Sequence, residues 1–348
     1  IDTVTTTDHE TLKAEDSHGN IVTVPEGFKV VEGSAGEEIT VENGVVIEDS
    51  AGNQFVWIPV GVVTKNDGNK SSEIKLGRYT FDSNGTPVEQ QLAYTTENPT
   101  NYLNTVTIVV EEFEYQELSV SRSGNTLEGE DGENATAKNL AAFVQSVKNN
   151  GGYYLARYEA SYGSGYDISG STDAEKYANA KPLSKESKGF SEDSISYTEG
   201  ILWNFITQVN ASKVSRNMYL NNKDANGNNV GVESDLINSY AWDTAIVYIQ
   251  EMGHTNYANA NRDTTGNTSL MNTGTTGDVV CNIYDMAANT QEWDTEYNAY
   301  ISETGVTPCV DRGGYYHLSL YGTGYRRYAG INSTFNRVSF RPVLYISD

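Results

Sequence analysis

The densest set of side chains able to do chemistry lies between Gly314 and Val338. It comprises Tyr315, Tyr316, His317, Ser319, Tyr321, Thr323, Tyr325, Tyr328, Asn332 and Asn336, with Arg326, Arg327 and Arg337 interspersed. These residue types make contacts rather than break bonds. Tyrosine offers a large amphipathic surface with few torsions to freeze, and small polar neighbours adapt their hydrogen bonds to a partner. The arginines could add bidentate anchors. The spacing follows neither a period of two nor one of 3.6, so a single buried strand or helix face accounts for it poorly. Exposed tyrosines in such numbers waste apolar area unless a partner covers them. The ten residues from Tyr315 to Asn336 are therefore expected to gather on one largely exposed binding face. The chain has 24 tyrosines, and packing of some of these on the core is the competing expectation.

Other reactive groups are sparse. His9, His18, His254 and His317 are scattered, and Cys281 and Cys309 lack the Cys-x-x-Cys spacing of a zinc site. Two thiols and one disulfide both fit such a pair. Asp224-Ala225-Asn226-Gly227-Asn228-Asn229 gathers oxygen atoms in a turn but lacks the late bidentate glutamate of an EF-hand loop. An ordinary polar turn is expected there, with calcium as the alternative, and no other cofactor is expected.

The chain has 348 residues and a formal net charge of −24, with Lys+Arg 23 against Asp+Glu 47. Phosphate backbones and anionic membranes bind through Lys and Arg, so neither is expected as a partner. No apolar run approaches the roughly 18 residues of a membrane span. The chain starts at Ile1 rather than Met, so a preceding segment is expected to have been cleaved or left out. Abundant Gly, Asn, Thr, Ser and Tyr suit an extracellular, loop-rich β protein.

The elements that must position these residues are legible as periodic runs. Residues 1–20 lack apolar clusters and are expected as a flexible arm. Short apolar runs from Ile21 to Ile47, punctuated by Pro25-Glu26-Gly27 and Asn43-Gly44, predict β structure with hairpins. Gln54 to Val60 reads as a buried strand that ends at Pro59, with further strands at 76–81 and 106–110. Residues 121–138 are polar and acidic and are expected as a solvated loop. Leu140, Phe143, Val144 and Val147 fall at i, i+3, i+4 and i+7, which predicts a helix stopped by Gly151-Gly152. Two more helices are predicted around 201–218 and 236–252, their aromatic and aliphatic stripes serving as core.

Five segments share an order and spacing with a known family. They are Phe55-Val56-Trp57-Ile58-Pro59-Val60, Gly151-Gly152-Tyr153-Tyr154-Leu155-Ala156-Arg157-Tyr158-Glu159, the run from Asn282 to Trp293, Arg312-Gly313-Gly314, and Phe340-Arg341-Pro342-Val343-Leu344. Together they resemble the sulfatase-modifying-factor branch of the C-type lectin fold, which includes formylglycine-generating enzyme. The resemblance covers roughly residues 50–348. It implies an α+β, C-type lectin-like fold of the sulfatase-modifying-factor type. Residues 1–50 would be an N-terminal arm and β-hairpin extension, and residues 51–348 the ligand-binding domain. Within it, Asn289 and Glu292 sit where buried polar groups could tie loops together. Cys281 and Cys309 would lie at neighbouring strand ends, which implies a disulfide.

That family's reactive cysteine pair follows the Arg-Gly-Gly motif. Tyr315 to Tyr325 contains no cysteine, so its thiolate chemistry is not expected here. The histidine cluster of the related sulfoxide synthases is also absent. The placement of the Tyr-rich segment resembles the variable proteins of diversity-generating retroelements, which present a hypervariable surface near the C-terminus of such a domain. The resemblance implies a non-catalytic, secreted or surface-displayed bacterial or phage protein. Its ligand would be a protein or glycan on another cell or surface. A pilin-like or phage-decoration subunit with the same fold is the alternative.

Overall fold

A computed structural model describes residues 1–2, 10–67, 70–99, 107–117, 140–298, 301–302 and 305–347. The acidic stretch 121–138 lies outside the described residues. Twelve strands build two six-stranded sheets. In chain order they are β1 (Lys29–Val31), β2 (Val46–Glu48), β3 (Gln54–Pro59), β4 (Ile108–Val110), β5 (Phe113–Glu117) and β6 (Gly152–Ala156). They continue as β7 (Val232–Leu236), β8 (Gln291–Asn298), β9 (Cys309–Arg312), β10 (Arg326–Ala329), β11 (Val338–Phe340) and β12 (Pro342–Ile346).

The first sheet runs β7-β12-β6-β3-β2-β1, and every neighbouring pair is antiparallel. The second runs β4-β5-β8-β9-β10, with β11 pairing parallel to β8. The chain crosses from the second sheet to the first at Arg341, between β11 and β12. Both strands are fully buried, as the apolar run Phe340, Val343 and Leu344 requires.

Helix α1 (Leu140–Asn150) buries the four residues of its predicted stripe and sets Phe143 against Tyr153 and Tyr345, at ring separations of 5.2 and 5.9 Å. It ends where Gly151, at φ +78°, donates its N–H to the Val147 carbonyl. A short α2 (Asp173–Tyr177) follows. The helix predicted over 201–218 is confined to α3 (Gln208–Asn217): Ile201 and Leu202 form β-bridges, and Phe205 takes a left-handed conformation at φ +56°. The Thr207 hydroxyl caps α3. Likewise α4 (Ser239–Glu251) starts later than 236, because Leu236 belongs to β7 and Asn238 supplies the cap. Residues Ser239 to Ile249 of α4 are all buried, so this helix is core on every side and still carries Asp243. A one-turn α5 (Arg262–Thr265) completes the set.

Two expectations for the N-terminal region are corrected. Leu12–Glu15 is a strand paired with Ile21–Val24, because the Asp16 carboxylate accepts the backbone N–H groups of His18 and Asn20 and closes the turn. Asn43-Gly44 does not close a two-residue hairpin: β1 and β2 pair across the long connection 32–45. Through β1 and β2 the N-terminal segment continues the first sheet, and residue 50 lies in the turn between β2 and β3.

Candidate ligand-binding face

The segment from Tyr315 to Tyr325 leaves the second sheet after β9 and returns as β10. What holds it is ionic and buried. Asp243 on α4 accepts Arg312 Nη2 and Arg326 Nη2, each at 2.5 Å, together with the Tyr79 backbone N–H at 2.9 Å. Arg312 also reaches Asp294, and Arg326 reaches Glu296, which takes Arg78 as well. Burial pushes the Glu296 carboxyl up, but Arg326, Arg312 and Arg78 outweigh it and hold it well below the usual range. Burial and the neighbouring Glu296 charge push Asp294 well up. The two ends of the segment, Arg312 and Arg326, are thus bolted to one helix and one strand.

A second buried network lies beneath the start of the segment. Arg341 grips Glu292 with Nε at 2.6 Å and Nη2 at 2.5 Å, and donates to the carbonyls of Ala156 and Tyr284. It thereby ties β8 of one sheet to β6 of the other. Glu159 accepts Asn289 Nδ2 at 2.6 Å and the Thr290 N–H at 3.0 Å. Asp285 accepts the Thr273 hydroxyl and the Gly274 N–H. Asp278 accepts the Tyr257 hydroxyl at 3.2 Å and the Ala287 N–H at 2.8 Å. Burial, with Asp285 nearby, pushes Asp278 up to about 7.

These posts determine where the loop backbone lies. A Cβ on Gly314 would collide with the carbonyl oxygen of Ala287 and come within 2.6 Å of that of Tyr321. Beyond the loop's far side, the turn after α4 supplies acceptors: Ala258 takes the Gly324 N–H at 2.8 Å and Ala260 the Thr323 N–H at 3.0 Å. Trp242 Nε1 donates to the Thr323 carbonyl at 2.9 Å. Asn261 and Arg262, at the start of α5, donate to the carbonyls of Ser319 and His317.

On this backbone five rings gather. Tyr315 lies 6.0 Å from Tyr316, 6.3 Å from His317 and 5.9 Å from Tyr321, and Tyr321 lies 4.4 Å from Tyr325. Asn336 Nδ2 reaches the Tyr316 hydroxyl at 3.4 Å. His317, Ser319 and Asn332 are exposed, and Tyr316, Tyr321, Tyr325 and Asn336 are half-buried. Leu320, which composition alone did not single out, stands 76% exposed at the loop tip.

Not all ten residues share that exposure. Tyr315 is buried as the hub of the ring cluster, and Thr323 is buried with both its N–H and its hydroxyl directed at Ala260. Tyr328 on β10 is half-buried and packs on Phe113 of β5 at 4.6 Å. Arg326 is buried in the ionic network instead of standing as an anchor, and Arg327 pairs with Asp311.

The implied disulfide is not formed. Cys281 precedes the Asn282 motif in a left-handed turn within the core cluster of the first sheet, whereas Cys309 starts β9 in the separate cluster around Trp203, Trp293 and Phe340. Burial pushes the Cys281 thiol up to about 12, far from thiolate reactivity.

In the oxygen-rich turn, Asp224 Oδ1 accepts the N–H groups of Asn226 and Asn228, and Oδ2 accepts the Ser50 hydroxyl at 2.5 Å. Among the described residues, no group of three or more His, Cys, Asp or Glu is arranged to hold a metal ion, and no helix is long and apolar enough to cross a membrane.

No family model and no curated protein matches the chain. Among solved structures it is similar to CarF, at 12% identity and a TM-score of 0.37 over 67% of this chain and 97% of that one. It is also similar to Treponema denticola variable protein 1, at 13% identity and a TM-score of 0.32 over 69% of this chain and 98% of that one. At these scores neither likeness carries an argument about fold or function.

Proposed function

We propose that this chain is a non-catalytic ligand-binding protein of C-type lectin-like fold, displayed on a cell surface or secreted, whose binding face is the Tyr315–Asn336 segment. The observation that carries the reading is the contrast within that segment. Its backbone is pinned by buried arginine–carboxylate pairs and glycine contacts, while His317, Ser319 and Leu320 are exposed and Tyr316, Tyr321 and Tyr325 half-exposed beside them. A scaffold held from below tolerates change above, as a variable surface must. The resemblance to the sulfatase-modifying-factor branch rests on the five motifs Phe55–Val60, Gly151–Glu159, Asn282–Trp293, Arg312-Gly313-Gly314 and Phe340–Leu344, and that to retroelement variable proteins on the placement of the Tyr-rich segment between the last two. Binding in this reading uses neither cofactor nor calcium, since tyrosines, amides and hydroxyls supply the contacts.

A display library tests it. With Tyr316, His317, Ser319, Leu320 and Tyr321 randomised together, most members are expected to remain folded and to yield binders to unrelated immobilised proteins. Failure of most members to display contradicts the reading. In the neighbouring DNA, a near-repeat of the 312–345 coding segment that differs at adenines is the expected mark of retroelement diversification.

A further inference from the structure

Among the described residues, the arginines are matched, with one exception. Arg78, Arg312, Arg326, Arg327 and Arg341 each hold a carboxylate, Arg216 and Arg262 pair with Asp235 and Asp263, and Arg157 donates to carbonyl and amide oxygens. Arg337 has no such partner. Its guanidinium carbon lies 4.4 Å from the centre of the Phe335 ring and 5.5 Å from that of Tyr315, and its Nε is buried with no acceptor. Asp311 feels its charge, but the Asp311 oxygens are engaged by Arg327.

The backbone that carries Arg337 is firmly set. The Gln291 N–H donates to the Arg337 carbonyl at 2.8 Å, Asn204 Nδ2 to that of Asn336 at 2.8 Å, and the Phe205 N–H to that of Phe335 at 3.0 Å. A cation held over ring faces keeps its in-plane N–H donors for something else. With Nε buried, the donors open to a partner are those of the two terminal nitrogens, which hold no acceptor among the described residues. The acceptor that fits the open end of a planar fork is a carboxylate, taken through the two terminal nitrogens.

From this geometry we infer that Arg337 is the anion-recognising element of the face and that it takes an aspartate or glutamate side chain of a protein partner. A protein is favoured over an acidic sugar because the exposed Leu320 beside the rings presents apolar surface that a sugar would leave wet. The inference rests on the reading of this segment as a binding face. It makes Arg337, locked between rings and preorganised, a centre of affinity on that face.

The test is a titration of the whole ¹⁵N-labelled chain, following the Arg337 Nε–H resonance by NMR. The probes are N-acetylglutamate α-amide, its isostere N-acetylglutamine amide, and N-acetylneuraminic acid. The glutamate probe is expected to shift the resonance saturably and the glutamine probe to leave it in place. In Arg337→Lys, which keeps the charge but not the fork, the glutamate probe should cause at most a small fraction of the shifts seen at Phe335 and Tyr315 in the unmodified chain. Equal shifts from the acid and the amide, or none from the acid, overturn the carboxylate site. A shift from N-acetylneuraminic acid alone overturns the choice of a protein partner. The titration needs no macromolecular ligand, so its failure removes this site while the library selection still decides whether the face binds.

Discussion

At the residue scale, the central feature is how many charges this chain buries and what each does there. Asp278 is the clearest case, because it props the loop from both sides, through Ala287 beneath Gly314 and through Tyr257 in the turn that receives Gly324. Burial first, and then Asp285, lift its carboxyl from 3.8 to about 7 in the folded chain. The folded state therefore binds this proton more tightly than the unfolded state. The resulting stability is fully present below about pH 4 and is lost as pH rises through about 7, a span equivalent to about 4 kcal/mol. Asp278→Asn keeps the shape and removes the titration. Its urea midpoint relative to the unmodified chain should rise between about pH 5 and pH 8, and a pH-independent difference would show that Asp278 stays ionised throughout.

At the element scale, the loop depends on backbone approach as much as on charge. Gly314 lies against the carbonyls of Ala287 and Tyr321, so Gly314→Ala must push the loop off the turn beneath it. The expected cost is about 2 kcal/mol or more in chemical denaturation. The substitution should also perturb the fluorescence of Trp242, whose indole N–H is bonded to the Thr323 carbonyl in the same loop. A variant of unchanged stability would mean that the loop is not held from below.

The elements themselves were largely legible. The i, i+3, i+4, i+7 stripe of α1 and the apolar run of β3 fall where local pattern places them. So does the buried role of Asn289 and Glu292, which hold Glu159 and Arg341. The errors are those that local pattern cannot resolve. Arg326 reads as a surface anchor because its acids, Glu296 and Asp243, lie 30 and 83 positions away in the chain. Thr323 reads as a contact residue because its acceptor, Ala260, is 63 positions away.

At the scale of the whole molecule, the proposed function has the chain separate what folds from what contacts. Two sheets are tied together by Arg341, and α4 carries the aspartate that anchors both ends of the loop. In that reading the ring cluster sits above a scaffold whose stability is expected not to depend on Tyr321 and Tyr325. That separation is the central claim, and the double substitution Tyr321→Ala, Tyr325→Ala tests it most directly. Peptides selected from a phage library on the immobilised chain would be measured again on the variant, alongside the thermal melts of both proteins. The account predicts that affinity falls by about 30-fold or more, the equivalent of about 2 kcal/mol, while the melting temperature stays within a few degrees. Undiminished binding of the selected peptides, or a melting temperature that collapses with the rings, would show that Tyr321 and Tyr325 belong to the core and not to a binding face.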